Sequence, residues 1–451
     1  MNLTKCEGIK FMKKIFLLMA LLCLSRVSYS QNVLSLFNKA NTFFTYMEEA
    51  KYDSAHLCFD ITEQAKISPD NLKQLWENVK TKFGKTVSFE AIQSKAQGEY
   101  FGVTIEGKFE NGYQNFIVGF NKAEKIVGII MPPNAVAYAK PSYAPDTTNY
   151  QEKSVYLTTK DHQLAAVITT PKNISNFPVV VLVHGSGPSD MDETVGANKP
   201  FKDLALGLAA KGIGTIRYVK RTVIYANEFS KAFTVKEEVT DDAVAAVALA
   251  KTVSGADPKN IYLLGHSLGG MLAPQIATLA PGLNGIILAA APARKLTDLI
   301  LEQNKYFFAL VKDTSAAVKK EFDGAIAEIE RSKITQIGSM KADSNIIGLP
   351  VSYWVNLNSY DQVATAKKLN KRILIVQGGN DFQVSEQDYN LWNTALSKKK
   401  NVSLKFYPEL NYLLSPQTEK GTTAQYQVPV NVSEKLVDDI ALWVKGQPLT
   451  K

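Results

Sequence analysis

A chain of 451 residues is too long for one ordinary domain, and its 45% apolar and 21% charged residues suit a soluble protein with a sizeable core. Half of the formal net charge of +8 lies in residues 1–30, where Lys5, Lys10, Lys13, Lys14 and Arg26 face Glu7 alone, so the remainder carries only +4. That weak, scattered charge excludes nucleic acid as a partner, and Lys398-Lys399-Lys400 reads as a solvated loop.

The N-terminus reads as an export signal. Met12-Lys13-Lys14 precedes the apolar run from Ile15 to Leu24, and Ser28-Tyr29-Ser30 places small residues at −3 and −1 before Gln31. The run is shorter than the roughly 20 residues a membrane-spanning helix needs, so residues 1–30 predict a signal peptide and no transmembrane segment. Met12 is the better start than Met1, and Leu22 before Cys23 is too bulky for lipoprotein processing. The expected product is periplasmic or extracellular. Only Cys58 survives cleavage, which excludes an intrachain disulfide; Cys58 and His56 both read as structural.

Residues 31–135 predict a small α+β domain. Helical patterns cover Val33–Ala50 and Pro69–Lys82, the latter with Leu72, Leu75, Trp76 and Val79 on one face. Alternating strands follow at Glu99–Ile105, Phe116–Phe120 and Lys125–Ile130, with turn signals at Gly107 and Asn111-Gly112. Residues 136–151, with Pro141 and Pro145, read as a linker. From 152 to 451 strands alternate with helices, which predicts an α/β fold with a mostly parallel sheet covered on both faces. Its strands are expected at Val155–Thr159, Leu164–Thr170, Val179–Val183, Ile213–Val219, Ile261–Gly265, Gly285–Ala290, Arg372–Gln377 and Val402–Tyr407. Helices are expected at Phe201–Lys211, Lys236–Ser254, Leu268–Leu279, Ser385–Leu396 and Ser433–Lys445. A helix-rich insert over about 293–368, with Tyr306, Phe307 and Phe308, reads as a cap.

Three stretches carry chemistry. Gly265-His266-Ser267-Leu268-Gly269-Gly270 falls between a buried strand and a helix, where a tight turn lifts a serine hydroxyl above the sheet; Ser267 is therefore the candidate nucleophile. An oxyanion hole needs two backbone N–H donors. Leu268 supplies one, and Ser186 in His184-Gly185-Ser186-Gly187 the other, with Gly185 as the alternative. His184 reads as loop packing and His162 as an exposed turn residue. Asp381, in Gln377-Gly378-Gly379-Asn380-Asp381 after a late buried strand, stands where the chain order nucleophile, acid, base puts the acid.

Residues 152–447 resemble secreted bacterial α/β-hydrolases of the esterase or serine-aminopeptidase-like type. The resemblance rests on His184–Asp190, Asn198-Lys199-Pro200-Phe201, Gly265–Gly270, Gln377–Asp381 and the cap stretch Pro350–Trp354. Residues 32–133 are similar to a small domain of unknown function that precedes such enzymes. The resemblance implies action on a small-molecule ester, acyl compound or short peptide, without cofactor or metal. It also implies a general base in a stretch of the form Tyr-Pro-x-x-x-His, where this chain reads Tyr407-Pro408-Glu409-Leu410-Asn411-Tyr412. Tyr412 stands in the place of the histidine, and no histidine follows His266. Val219 replaces a usual aspartate in the same way.

A neutral phenol, with a reference pKa of about 10, is a poor proton acceptor. Three readings follow: a serine hydrolase with weak or lost activity whose base is altered or supplied by His184, an inactive pseudoenzyme that binds an acyl or peptide ligand, and a scaffold whose N-terminal domain binds a partner. His266 adjoins Ser267, but the elbow is expected to turn it away.

Overall fold

The computed structural model describes residues 33–97, 100–132, 138–144, 148–311 and 315–449. The expected signal peptide and residues 136–137 and 145–147 of the expected linker lie outside the described residues. Two compact units are present. One comprises residues up to Asn134 together with Tyr225–Ala232 and Ser339–Val351; the other comprises Ala135–Ile224, Phe233–Gly338 and Ser352–Lys451. Among the described residues no helix is long and apolar enough to cross a membrane.

In the first unit, helices α1 (Val33–Glu48) and α2 (Pro69–Phe83) precede a four-stranded antiparallel meander. Its strands are β1 (Thr86–Gln97), β2 (Tyr100–Phe109), β3 (Gly112–Phe120) and β4 (Ile126–Ile130). Ser68 caps α2 through the Asn71 N–H, and Pro69 occupies the first helical turn, where its missing N–H costs nothing. Phe44 of α1 and Trp76 of α2 meet Phe89 and Phe116 of the sheet, with Phe44 centred 4.8 Å from both phenylalanines. Sequence patterning missed β1 because none of the residues Thr86–Ser94 is fully buried. An edge strand that turns only Phe89 into the aromatic cluster carries a weak period-2 hydrophobic signal.

The second unit is a doubly covered sheet of eight strands. In chain order they are β5 (Tyr150–Thr158), β6 (Gln163–Pro171), β7 (Phe177–Val183), β8 (Gly214–Tyr218), β9 (Ala256–His266), β10 (Gly285–Ala289), β11 (Arg372–Gly378) and β12 (Val402–Tyr407). Their spatial order is β12-β11-β10-β9-β7-β8-β6-β5. β6 runs antiparallel to both its neighbours, and the pairings from β8 through β12 are all parallel. Every residue of β7, β8 and β10 is buried, as expected of parallel strands covered on both faces. Helices α3 (Pro200–Ala210), α4 (Asp241–Ala250), α5 (Leu268–Leu279), α8 (Glu386–Leu396) and α9 (Glu434–Val444) lie in the connections and after the last strand. The connection from β10 to β11 carries α6 (Leu296–Leu310) and α7 (Ala316–Arg331). This is the α/β-hydrolase fold.

The helix expected over Lys236–Ser254 begins instead with a π-helical turn, Lys236–Thr240, before α4. Such turns recur at functional sites because they re-aim a side chain. Here the turn carries the buried Glu238 toward the loop after β7.

Candidate active site

The stretches singled out from sequence leave the carboxyl ends of parallel strands: His184 after β7, Ser267 after β9, Asp381 after β11 and Tyr412 after β12. That edge of an open α/β sheet is where ligands bind.

Ser267 sits between β9 and α5 with φ 51° and ψ −118°, a conformation that strains any residue with a side chain. The strain is imposed from both sides of the turn. A Cβ on Gly265 would lie 2.2 Å from the Gly269 carbonyl oxygen, and one on Gly269 would lie 2.3 Å from the Val183 oxygen. Only glycine lets strand and helix approach this closely. The Ser267 N–H donates to the Ala289 carbonyl at 2.9 Å, which locks the turn onto β10.

The loop after β7 is held by three buried charges. Glu193 Oε1 accepts from the Gly185 N–H at 2.7 Å, and Glu238 Oε1 accepts from the Gly187 N–H at 2.8 Å. Lys220 Nζ donates both to the Gly185 carbonyl and to Glu238, each at 2.8 Å. Tyr353 then donates to the other Glu238 oxygen at 2.6 Å. Glu193 thus takes the Gly185 N–H, whereas Ser186 stands exposed between the two anchored glycines. Leu268, first in α5, has no intrahelical acceptor for its N–H.

Asp381 is fully buried. Its Oδ1 accepts from the N–H groups of Gln383 and Val384 at 2.7 and 2.9 Å, and its Oδ2 from Gln377 Nε2 at 3.2 Å. Burial, only partly offset by those bonds, pushes the carboxyl up to about 7.

Tyr412 is only partly exposed, and its phenol hydrogen-bonds the Ser267 side chain. The hydroxyl lies 3.4 Å from the position a Gly185 Cβ would take, and Ser267 Cβ lies 3.3 Å from the same point. Burial, reinforced by the charges of Glu193 and Asp381, raises the phenol well above its ordinary value of 10. A basic Tyr412 requires the opposite shift.

Two histidines lie in this region. His184 is buried with its ring 4.8 Å from Phe201 and 5.4 Å from Tyr218, and burial pushes it down to about 4. His266 lies beside Tyr412 and Glu193. Its Nε2 lies 2.8 Å from the Tyr412 carbonyl oxygen, its Nδ1 lies 3.0 Å from Glu193 Oε2, and its ring is centred 4.5 Å from that of Tyr412. Burial alone pulls His266 down, but Glu193 and the Tyr412 carbonyl outweigh it and hold the imidazole above its ordinary value.

Sequence reasoning missed Glu193, which joins the loop after β7 to His266 and through it to the Tyr412 loop. Its backbone, at φ 53°, offered the only local signal, and a positive φ cannot be read from a glutamate in sequence. Burial works against its carboxylate, yet His266 holds it below its ordinary range. Glu193→Gln should therefore destabilise the second unit by about 3 kcal/mol, the usual cost of removing one partner of a buried ion pair. The raised His266 contributes stability that is fully present below its unfolded value and fades as pH climbs through its folded value. The lowered Glu193 contributes stability that is lost as pH falls through its own folded value. The penalty, read from urea denaturation, should be greatest near pH 6 and smaller near pH 9; a pH-independent penalty would refute the ion pair.

A strained serine between a parallel strand and a helix, in this topology, defines an α/β-hydrolase site. Residues 227–412 match the family described as serine aminopeptidase, S33, and residues 40–129 match a protein family of unknown function, DUF3887. The chain is 32% identical over 407 residues to Esterase EstD of Thermotoga maritima, covering 90% of this chain and 94% of that protein. Among solved structures it is similar to Est1E from Butyrivibrio proteoclasticus, at 16% identity, 65% and 99% coverage and a TM-score of 0.42. It is also similar to Pyrococcus horikoshii acylaminoacyl peptidase, at 11% identity, 81% and 57% coverage and a TM-score of 0.46. The chain belongs to the α/β-hydrolase family of Esterase EstD.

Proposed function

We propose that this protein is a carboxylic-ester hydrolase in architecture whose turnover is arrested: it binds an acyl compound at Ser267 and hydrolyses it very slowly. The observation that carries the reading is the Tyr412 hydroxyl beside Ser267, where the resemblance puts a general base, in a setting whose burial disfavours the ionised phenol. An esterase relative along nearly the whole chain supports an ester or short peptide as the ligand class. The nucleophile elbow and the loop that offers the Ser186 N–H are kept, so binding of an acyl group and some stabilisation of an oxyanion remain. Deprotonation of the serine does not.

A fluorophosphonate probe separates this reading from an active enzyme. Ser267 should label slowly at neutral pH, at least about a hundred-fold more slowly than in a variant with a competent base, since a positioned base contributes about 10²–10⁴-fold. Rapid labelling of wild type would show that a base reaches the serine after all.

A further inference from the structure

Successive N–H groups in the loop after β7 are treated unequally. Glu193 takes that of Gly185 and Glu238 that of Gly187, whereas among the described residues no hydrogen bond takes that of Ser186. The Ser186 N–H shares its peptide unit with the Gly185 carbonyl, and Lys220 Nζ donates to that carbonyl at 2.8 Å. In a planar trans peptide the N–H points opposite to the C=O. The ammonium that holds the carbonyl therefore fixes the N–H on the other side of the chain. Ser267 Cβ lies 3.3 Å from the point a Gly185 Cβ would occupy, so this peptide borders the nucleophile.

Lys220 is itself held in place. Its backbone N–H donates to the Ser189 carbonyl at 3.0 Å, further along the same loop. Its ammonium pairs with Glu238 at 2.8 Å, and both side chains are buried. Tyr353 donates to Glu238 Oε2 at 2.6 Å, which leaves Oε1 to accept from Lys220 and from the Gly187 N–H. Tyr353 is fixed in turn by Phe233, packed edge-on with ring centroids 5.5 Å apart. A buried ion pair is a weak source of stability, because well-packed apolar residues of similar volume often serve as well. An apolar pair, however, cannot donate to one carbonyl and accept from an N–H two residues on. The charge adds strength, since a charge-assisted hydrogen bond is roughly twice as strong as a neutral one and polarises the peptide it engages.

We infer that Lys220 is a positioning residue for ester hydrolysis: its ammonium orients and polarises the Gly185–Ser186 peptide, and Glu238 with Tyr353 holds the ammonium on that carbonyl. Lys220 touches no reacting atom. Glu193 and Glu238 withdraw the flanking N–H groups, and the one left over is the one Lys220 directs. The inference rests on the hydrolase reading, in which the Ser186 N–H donates to the oxyanion. A more polarised N–H gains most where negative charge develops, so the effect belongs to the transition state and not to the bound ester.

The test compares the full chain as Tyr412→His with and without the paired exchange Lys220→Met, Glu238→Gln, which removes both charges together and orphans neither. With 4-nitrophenyl acetate, kcat should fall about ten- to a hundred-fold while KM is unchanged, less than the about 10²–10³-fold that follows loss of a whole oxyanion donor. A pair that only holds the fold together would lower the urea midpoint and leave kcat alone. If the paired exchange does not fold, Lys220→Gln with Glu238→Gln takes its place, because glutamine is one atom shorter than lysine and stays polar. An unchanged kcat, or a loss confined to KM, would overturn the inference and leave the arrested-hydrolase reading standing. If wild type is already fast, or Tyr412→His is no faster than wild type, that underlying reading fails instead. The rate at which a fluorophosphonate labels Ser267 in the wild-type background then decides the inference: slowing by about ten-fold on the paired exchange supports it, and equal rates overturn it.

Discussion

Replacing Tyr412 with histidine should raise kcat/KM for a short-chain aryl ester such as 4-nitrophenyl acetate by about 10²–10⁴-fold, the usual contribution of a positioned general base. Loss of the corresponding histidine in subtilisin costs about 10⁶-fold in turnover, so the estimate is conservative. It is set below that figure because the rest of the machinery is only partly tuned. Asp381 must orient the new imidazole and stabilise its cation. At present it is a buried carboxyl raised to about 7 by burial, which its backbone hydrogen bonds, Gln377 on Oδ2 and the nearby His266 offset only in part. An imidazolium at 412 adds a further charge beside it and draws Asp381 back toward its ionised form. The activity of the variant should accordingly rise with pH through the pKa of the new histidine, and adding Asp381→Asn should remove most of the gain. Wild type, with no group of suitable pKa at the serine, should show a low rate and no such titration. If wild type is already fast, and Tyr412→Phe is equally fast, the missing-base argument fails.

The site was legible in sequence to different depths, for physical reasons that differ residue by residue. Ser267 was legible because a nucleophile elbow needs glycine at fixed offsets, and Gly265 and Gly269 prove to face backbone atoms at 2.2 and 2.3 Å. Tyr412 was singled out because it follows the last strand, Val402–Tyr407, at the place where the resemblance puts a general base. The loss of its basicity was not fully legible. A tyrosine's pKa depends on burial and on neighbouring charge, and the buried glutamate that raises it, Glu193, comes from a loop more than two hundred residues away in sequence. Lys220 and Glu238 were silent for the same reason, since a buried ion pair leaves no local pattern in either partner's neighbourhood. The fold shows the same division. The continuous apolar runs of β7 and β10 announced themselves, whereas the partly exposed edge strand β1 and the π-helical turn before α4 did not.

The second large effect concerns the elbow itself. Gly265→Ala should destabilise the second unit by at least about 4 kcal/mol, the range reserved for substitutions the structure cannot absorb. A Cβ at that position meets the Gly269 carbonyl oxygen at 2.2 Å, its carbon at 2.3 Å and the Gly270 nitrogen at 2.5 Å. All three are backbone atoms, so no rotamer change relieves the overlap, and α5 must move away from β9. That movement breaks the turn in which Ser267 is held at φ 51° and separates the Leu268 N–H from the loop bearing Ser186. Gly324 provides the control, because it lies inside α7 and a methyl group added there meets nothing within 4 Å. There the same substitution should stabilise the protein by up to about 1 kcal/mol, since alanine loses less backbone entropy than glycine on entering a helix. Urea midpoints for the two variants should therefore shift in opposite directions. A Gly265→Ala protein that unfolds with wild type would mean that strand and helix do not approach as closely as the turn requires, and the assignment of Ser267 as a strained nucleophile would fall with it.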